Sequence, residues 1–183
     1  NFLHINTVTP TQLEGSGVPV TGITVDFDGD TRNGSAPDIG ADEFTGVFLD
    51  LVGPNITYTG LLNTSSLANR TLSVNITDIS GVAAGAVAPR IYFKKSTDGA
   101  YVSTQCTGSS PSYTCNIDYT LVGGGSVALA DVLQYFVVAQ DTVGNVSANP
   151  SGGFTATNVN TVTSPPTTPS QYTIVAAISG TYN

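Results

Sequence analysis

Apolar and polar residues alternate with a period of two through the middle of this chain. That spacing puts every second side chain on one face of a β-strand. In the run RTLSVNITD, Leu72, Val74 and Ile76 fall on one face and Ser73, Asn75 and Thr77 on the other. Ile91 and Phe93 share a face in PRIYFKKS. Tyr113, Cys115, Ile117 and Tyr119 line up in SYTCNIDYT, and Leu133, Tyr135, Val137 and Ala139 in VLQYFVVAQD. With NITYTG before them and GFTAT after, about seven strands recur roughly every ten to fifteen residues, the pattern of an immunoglobulin-like β-sandwich. The domain predicted this way spans residues 53–157. Tyr135 stands early in the penultimate strand, where a tyrosine corner belongs, although the chain has no Trp. The stretch GGGSVALAD admits one helical turn.

The flanks read differently. Residues 1–52 are short extended pieces, FLHI, VPV and ITVDF among them, broken by the turn dipeptides Asp28-Gly29 and Asn33-Gly34. Residues 158–170 form a Thr/Pro stretch with Pro165, Pro166 and Pro169, predicted to be a semi-rigid spacer. Residues 171–183 start a new strand-like run, expected to open a following module. Neither flank buries a face alone. Residues 1–44 and 171–183 are therefore expected to complete their hydrogen bonding with neighbouring modules or with other copies of the chain.

Composition narrows the function classes. The chain is 40% hydrophobic but only 10% charged, so Thr, Ser and Asn carry its polar surface. A net charge of -8 argues against nucleic acid and against polybasic attraction to lipid. No segment has the length and hydrophobicity of a membrane-spanning helix, and no membrane insertion is expected. The sequence begins at Asn1 without a signal-peptide or lipidation pattern and reads as a processed product or a fragment. Cys106 and Cys115 are the only cysteines. They are either two buried thiols or a disulfide closing a hairpin-sized loop through a Ser-Ser-Pro turn, and the secreted-type composition favours the disulfide.

The candidate chemistry is concentrated in DFDGDTRNGSAPDIGADEF, residues 26–44, which holds six of the thirteen acidic residues and one cation, Arg32. Asp26, Asp28 and Asp30 alternate like the first ligands of a calcium loop. An EF-hand is excluded, because Thr31 takes the place of the loop Gly and Pro37 that of the bidentate Glu. Two readings stay open. One is another Ca²⁺ site drawing on Asp26, Asp28, Asp30, Asp38, Asp42 and Glu43. The other is structural, with Arg32 pairing with carboxylates while Gly29, Gly34 and Gly40 permit tight turns. Paired carboxylates also serve glycoside hydrolysis, but these lie in a turn-rich segment, and no nucleophile elbow, P-loop or dinucleotide fingerprint is present, so no enzymatic activity is expected. His4 reads as a surface or strand residue, and Asp131 and Asp141 as turn caps. Tyr92, Tyr101 and Tyr113 form either a sugar-stacking platform or part of the packing.

Three segments resemble a known family. DFDGDTRNGSAPDIGADEF is similar to the segment that closes right-handed parallel β-helices in large surface proteins of the Bacteroidota. APRIYFKKSTDGAYV and DVLQYFVVAQDTVGNVSANP resemble the immunoglobulin-like repeats that follow it, and QYTIVAAISGTYN resembles the opening of the next β-helical region. The resemblance implies an all-β chain in which a partial β-helix-like terminal segment, residues 1–52, precedes the sandwich. It implies giant repetitive adhesins exported as type IX secretion cargo to the cell surface. Asp141-Thr142-Val143 matches a short O-glycosylation pattern of the same bacteria, which marks Thr142. The expected function is a non-catalytic structural or adhesive module of an extracellular filament or surface protein, with neighbouring modules, copies of the chain and surface glycans as partners. The alternative is an accessory carbohydrate-binding or spacer module of a secreted polysaccharide-degrading enzyme.

Overall fold

The computed structural model describes residues 4–177. The chain divides into two compact units, Asn1–Leu51 and Val52–Asn183. The fold is mostly β, arranged in several antiparallel sheets, with no α-helix among the described residues.

In the second unit β1 (Asn55–Thr57) and β2 (Arg70–Thr77) come first, then β3 (Arg90–Lys95) and β4 (Val102–Gln105). The short β5 (Thr107–Ser109) leads into β6 (Ser112–Ile117). β7 (Val132–Gln140), β8 (Val146–Asn149), β9 (Thr155–Asn158), β10 (Thr161–Ser164) and β11 (Ser170–Thr173) complete it. One sheet has the order β1-β2-β6-β5. The other runs β11-β7-β3-β4, with β8 also paired to β7. β11 pairs with Val132–Tyr135 and β8 with Val137–Gln140, so the two share one side of β7 in succession. The helical turn expected in GGGSVALAD is a single 3-10 turn at Gly123–Gly125.

The alternation seen in the sequence becomes one shared core. Leu72, Val74 and Ile76 of β2 and Tyr113, Cys115 and Ile117 of β6 meet Ile91 and Phe93 of β3 and Leu133, Tyr135 and Val137 of β7. Removing each large side chain of this kind from water stabilises the fold by about 1.5–3 kcal/mol. Tyr92, Phe136 and Val138 point the opposite way and build a second cluster with Ala148 and Val159. β9 and β10 pair with each other, and Phe154, Val159 and Val162 from this stretch lie against that cluster. β7 is thus buried on both faces, which explains its unbroken apolar run Phe136-Val137-Val138-Ala139.

β4 and β5 lie in different sheets, and Cys106 alone separates them. The chain changes sheets at that residue, and a disulfide ties Cys106 to Cys115 of β6. Thr104 of β4 reinforces the crossing by donating its hydroxyl to the Asn116 carbonyl of β6. The Ser110-Pro111 turn closes the β5–β6 hairpin inside this clamp.

Three expectations are corrected here. Residues 158–170 are not a bare spacer, because β10 pairs with β9 and the buried Val159 carbonyl accepts the Tyr92 hydroxyl at 2.6 Å. The strand expected to open a following module is β11, and it pairs with β7 of this unit, placing Tyr172 and Ile174 in the main core; residues 178–183 lie outside the described ones. Tyr135 makes no local corner: its hydroxyl accepts the Leu61 N–H at 2.7 Å, far upstream in sequence.

The first unit holds no regular strand among its described residues. Its ladder pairing is reduced to two isolated bridges, Thr11 with Phe48 in parallel and Val25 with Thr31 antiparallel. Among the described residues the strands expected over 1–52 are not formed and no solenoid is present; Phe2 and Leu3 of the expected FLHI strand lie outside the described residues. What replaces the ladder is the chemistry of the acidic segment.

Candidate functional site

Asp26 opens a five-residue turn, Asp26-Phe27-Asp28-Gly29-Asp30. Its Oδ1 accepts the N–H groups of Asp28 at 3.1 Å, Gly29 at 2.9 Å and Asp30 at 2.9 Å. The Asp26 N–H donates to the Asp30 carbonyl at 2.9 Å. The turn places Gly29 at a φ of 100°, where a Cβ is strained. Asp26 Oδ2 accepts the Glu43 N–H at 2.9 Å. That bond is the largest of the influences holding the Asp26 carboxyl well below the usual carboxylate range, with the Asp28 and Asp30 contacts adding to it. Asp28 is pushed upward, chiefly by sharing a hydrogen bond with the Asp26 side chain, then by desolvation and the Asp26 charge.

The remaining carboxylates repeat the theme. Asp38, buried, accepts Gly15 N–H at 2.6 Å on one oxygen and Phe44 N–H at 2.8 Å on the other. Glu43 accepts Asn33 N–H at 2.9 Å and Asp38 N–H at 3.1 Å. Asp42, also buried, accepts Ile5 N–H at 3.1 Å and faces His4 Nδ1 at 3.1 Å. Arg32 donates to the carbonyls of Asp38 and Gly40 and lies 3.6 Å from Glu43. Backbone N–H groups require partners, and charged acceptors make strong ones. Here side-chain carboxylates supply the acceptors that a β-ladder supplies elsewhere.

Of the six candidate metal ligands, Asp26, Asp38, Asp42 and Glu43 are therefore engaged with backbone amides, while Asp28 and Asp30 are exposed. Oxygens of Asp26, Asp28 and Asp30 lie within 4.8 Å of one another, as do ligand atoms of His4, Asp28 and Asp42. The carboxylates open to a cation are those of Asp28 and Asp30.

Glu14 was not singled out by its sequence, while His4 reads there as a surface or strand residue and Asp141 as a turn cap. Glu14 accepts the Gly46 N–H at 2.7 Å. His4 sits between Asp42 and Asp28, with Nε2 at 3.5 Å from Asp28 Oδ2, and its ring packs at 5.6 Å from Phe27. Asp141, read as a turn cap, builds the same turn as Asp26. Its Oδ1 accepts the N–H groups of Val143 at 3.0 Å, Gly144 at 2.6 Å and Asn145 at 2.8 Å. Its N–H donates to the Asn145 carbonyl at 3.0 Å, and Gly144 has a φ of 108°. Both turns share an Asp-x-x-Gly spacing, which also occurs at Asp78–Gly81, where the carboxylate accepts only one backbone N–H, that of Ser80. Asp131 also caps, accepting Ala128 N–H at 2.8 Å.

Thr142, on the exposed side of the Asp141 turn, donates its hydroxyl to the Ser80 carbonyl at 2.6 Å. The three tyrosines do not form an exposed platform. Tyr113 lies in the main core and Tyr92 in the second cluster, while Tyr101 packs edge-on to Phe136 under Lys94. Charge divides unevenly: the first unit has eight acidic residues and one Arg, the second five acidic and four basic. No protein-family model matches the chain, and neither does any curated protein.

Proposed function

We propose that this chain is a non-catalytic structural and adhesive module of a large extracellular bacterial surface protein. The second unit is an immunoglobulin-like sandwich. The strand order carries this reading: β1-β2-β6-β5 opposite β4-β3-β7-β8 is the A-B-E-D sheet facing C′-C-F-G. The disulfide supports life in an oxidising compartment outside the cytosol. The first unit is the end of a β-helix-like stack, and its parallel Thr11–Phe48 bridge is the local geometry of one coil laid on another.

Partners are neighbouring modules or other copies of the chain, engaged at the first unit. Support comes from where its apolar residues lie. Among the described residues the first buried large aliphatic or aromatic side chain is Ile56, while Val18 is 82% exposed, Val20 65% and Ile23 56%. A stretch that buries so little gains from a second surface. The carboxylates act structurally, closing turns, and calcium is not needed for the unit to form.

Negative-stain electron microscopy of the native surface material tests the reading. Fibres or stalks with a regular repeat are expected. Isolated globular particles in that material, with no associated long polypeptide, would contradict it.

A further inference from the structure

The outer face of the β1-β2-β6-β5 sheet carries neither a charge nor an aromatic ring along its strands. Outward positions are Asn55 and Thr57 on β1, Thr71, Ser73, Asn75 and Thr77 on β2, and Ser112, Thr114 and Asn116 on β6. The register sets Thr57 beside Asn75, Asn75 beside Ser112, and Ser73 beside Thr114, which also faces Thr107 of β5. Hydroxyl and amide groups thus form a lattice, about 4.8 Å between strands and about 6.7 Å between same-face residues along each strand. A shallow depression of about 770 Å³ crosses it, lined by Thr57, Ser73, Asn75, Thr107, Ser112 and Thr114, with the half-buried Tyr58 and the core residue Tyr113 reaching its walls.

Two further observations describe this face. The side chains of Thr57, Ser73, Asn75, Ser112 and Thr114 make no hydrogen bond to another described residue, so their donors and acceptors face solvent. Some polar side chains elsewhere in the unit are used internally: Asn149 donates to the Ile56 carbonyl at 2.6 Å, and Asn63 accepts the Thr173 N–H at 2.9 Å. The other sheet has aromatic residues on its outer face, and β9 and β10 lie against them.

We propose that this face binds a neutral, extended polysaccharide. An anionic or cationic polymer finds no counter-charge there. An apolar partner would desolvate unpaired hydroxyls at a cost. Sugar hydroxyls both donate and accept, as do the Ser and Thr hydroxyls and Asn amides that meet them. Without aromatic stacking each sugar contributes little, so binding is weak per module and grows when modules repeat along one polymer. The proposal deepens the adhesive reading and rests on it.

The test is affinity electrophoresis of the whole chain through gels containing hydroxyethyl cellulose or galactomannan, with alginate as the anionic control. Retardation by a neutral polymer and free passage through alginate are expected. The combined substitution Ser73→Ala, Asn75→Ala and Thr114→Val is expected to weaken retardation at least about fivefold, with melting unchanged. Free passage through both neutral gels, equal retardation by alginate, or retardation that the triple variant retains would each overturn the assignment. Should the triple variant not fold, amide shifts of the unsubstituted chain titrated with cello-oligosaccharides decide. Changes confined to β1, β2, β5 and β6 support the site, and changes elsewhere or none refute it. Regular fibres together with free passage would remove this proposal and leave the structural reading standing.

Discussion

At the scale of single residues, one device recurs: an aspartate whose carboxylate gathers the backbone N–H groups two, three and four residues on, over a left-handed glycine. Asp26 and Asp141 build it from different neighbours, Phe27-Asp28-Gly29-Asp30 and Thr142-Val143-Gly144-Asn145. Only its outline was legible, in the Asp28-Gly29 turn dipeptide and in Asp141 as a turn cap. It was hidden at 26–30 because Asp28 and Asp30 also fit an alternating ligand pattern, whereas Val143 and Asn145 carry no such suggestion. The buried roles of Asp38, Asp42 and Glu43 were not legible, since their amide partners lie up to 37 positions away. Asp141 is 1% exposed and all its bonds go with it, so Asp141→Ala should cost about 3 kcal/mol in chemical denaturation. A change below about 0.5 kcal/mol would rule out the capping role. Acid acts on Asp26. Its carboxyl is depressed in the fold, so its contribution is complete above the ordinary value of 3.8 and fades as pH falls toward the depressed one. Asp28 is raised and opposes this, because its protonation relieves repulsion beside Asp26. Loosening of the first unit should therefore begin only below about pH 4, read by amide shifts of residues 26–44. Loosening already at pH 6 would contradict the assignment. If the carboxylates work through backbone amides, chelators should leave melting unchanged, and a drop of several degrees in EDTA would return them to calcium.

At the scale of elements, legibility followed alternation. β2, β3, β6 and β7 were readable because their apolar residues repeat every second position and reach one core. β4 and β5 were not, because VSTQCTGS is mostly polar, with only Val102 and Cys106 reaching the core, and is bent between two sheets at Cys106. β9 was readable in GFTAT, but β10 looked like linker because Thr and Ser dominate it, and Val159 and Val162 betray its contact with the Tyr92–Phe136 cluster. A Thr-rich hairpin and a Thr-rich spacer have the same periodicity, and the covered aromatic face decides between them. Phe136→Ala should destabilise the second unit by about 3–5 kcal/mol, since the residue is fully buried under that hairpin. Cys106→Ala with Cys115→Ala should cost about 2–3 kcal/mol through loop-closure entropy. Equal stability with and without reductant would show that the clamp contributes nothing.

At the scale of the whole molecule, the two units are stabilised by different chemistry. Val52–Asn183 rests on a core rich in tyrosine, and Asn1–Leu51 on carboxylate-to-amide bonds. Burial pushes the Tyr58 phenol up to about 12, and Tyr172, paired with Tyr119 at 2.8 Å, rises in the same direction, also chiefly by burial. Raised phenols add stability that is complete below their ordinary value of 10.0 and is lost as pH climbs through the folded values. Alkaline unfolding of the second unit should thus set in between about pH 10 and 12, with tyrosinate absorbance rising cooperatively rather than phenol by phenol. The division also states what a neighbour is for. The second unit builds two buried apolar clusters of its own, while the first, among its described residues, buries no large aliphatic or aromatic side chain and leaves Val18, Val20 and Ile23 in solvent. Hydrogen exchange on the isolated monomer examines this contrast directly. Slow exchange in β2, β3, β6 and β7 with fast exchange across residues 16–25 is expected, and uniform strong protection of both units in a proven monomer would contradict it.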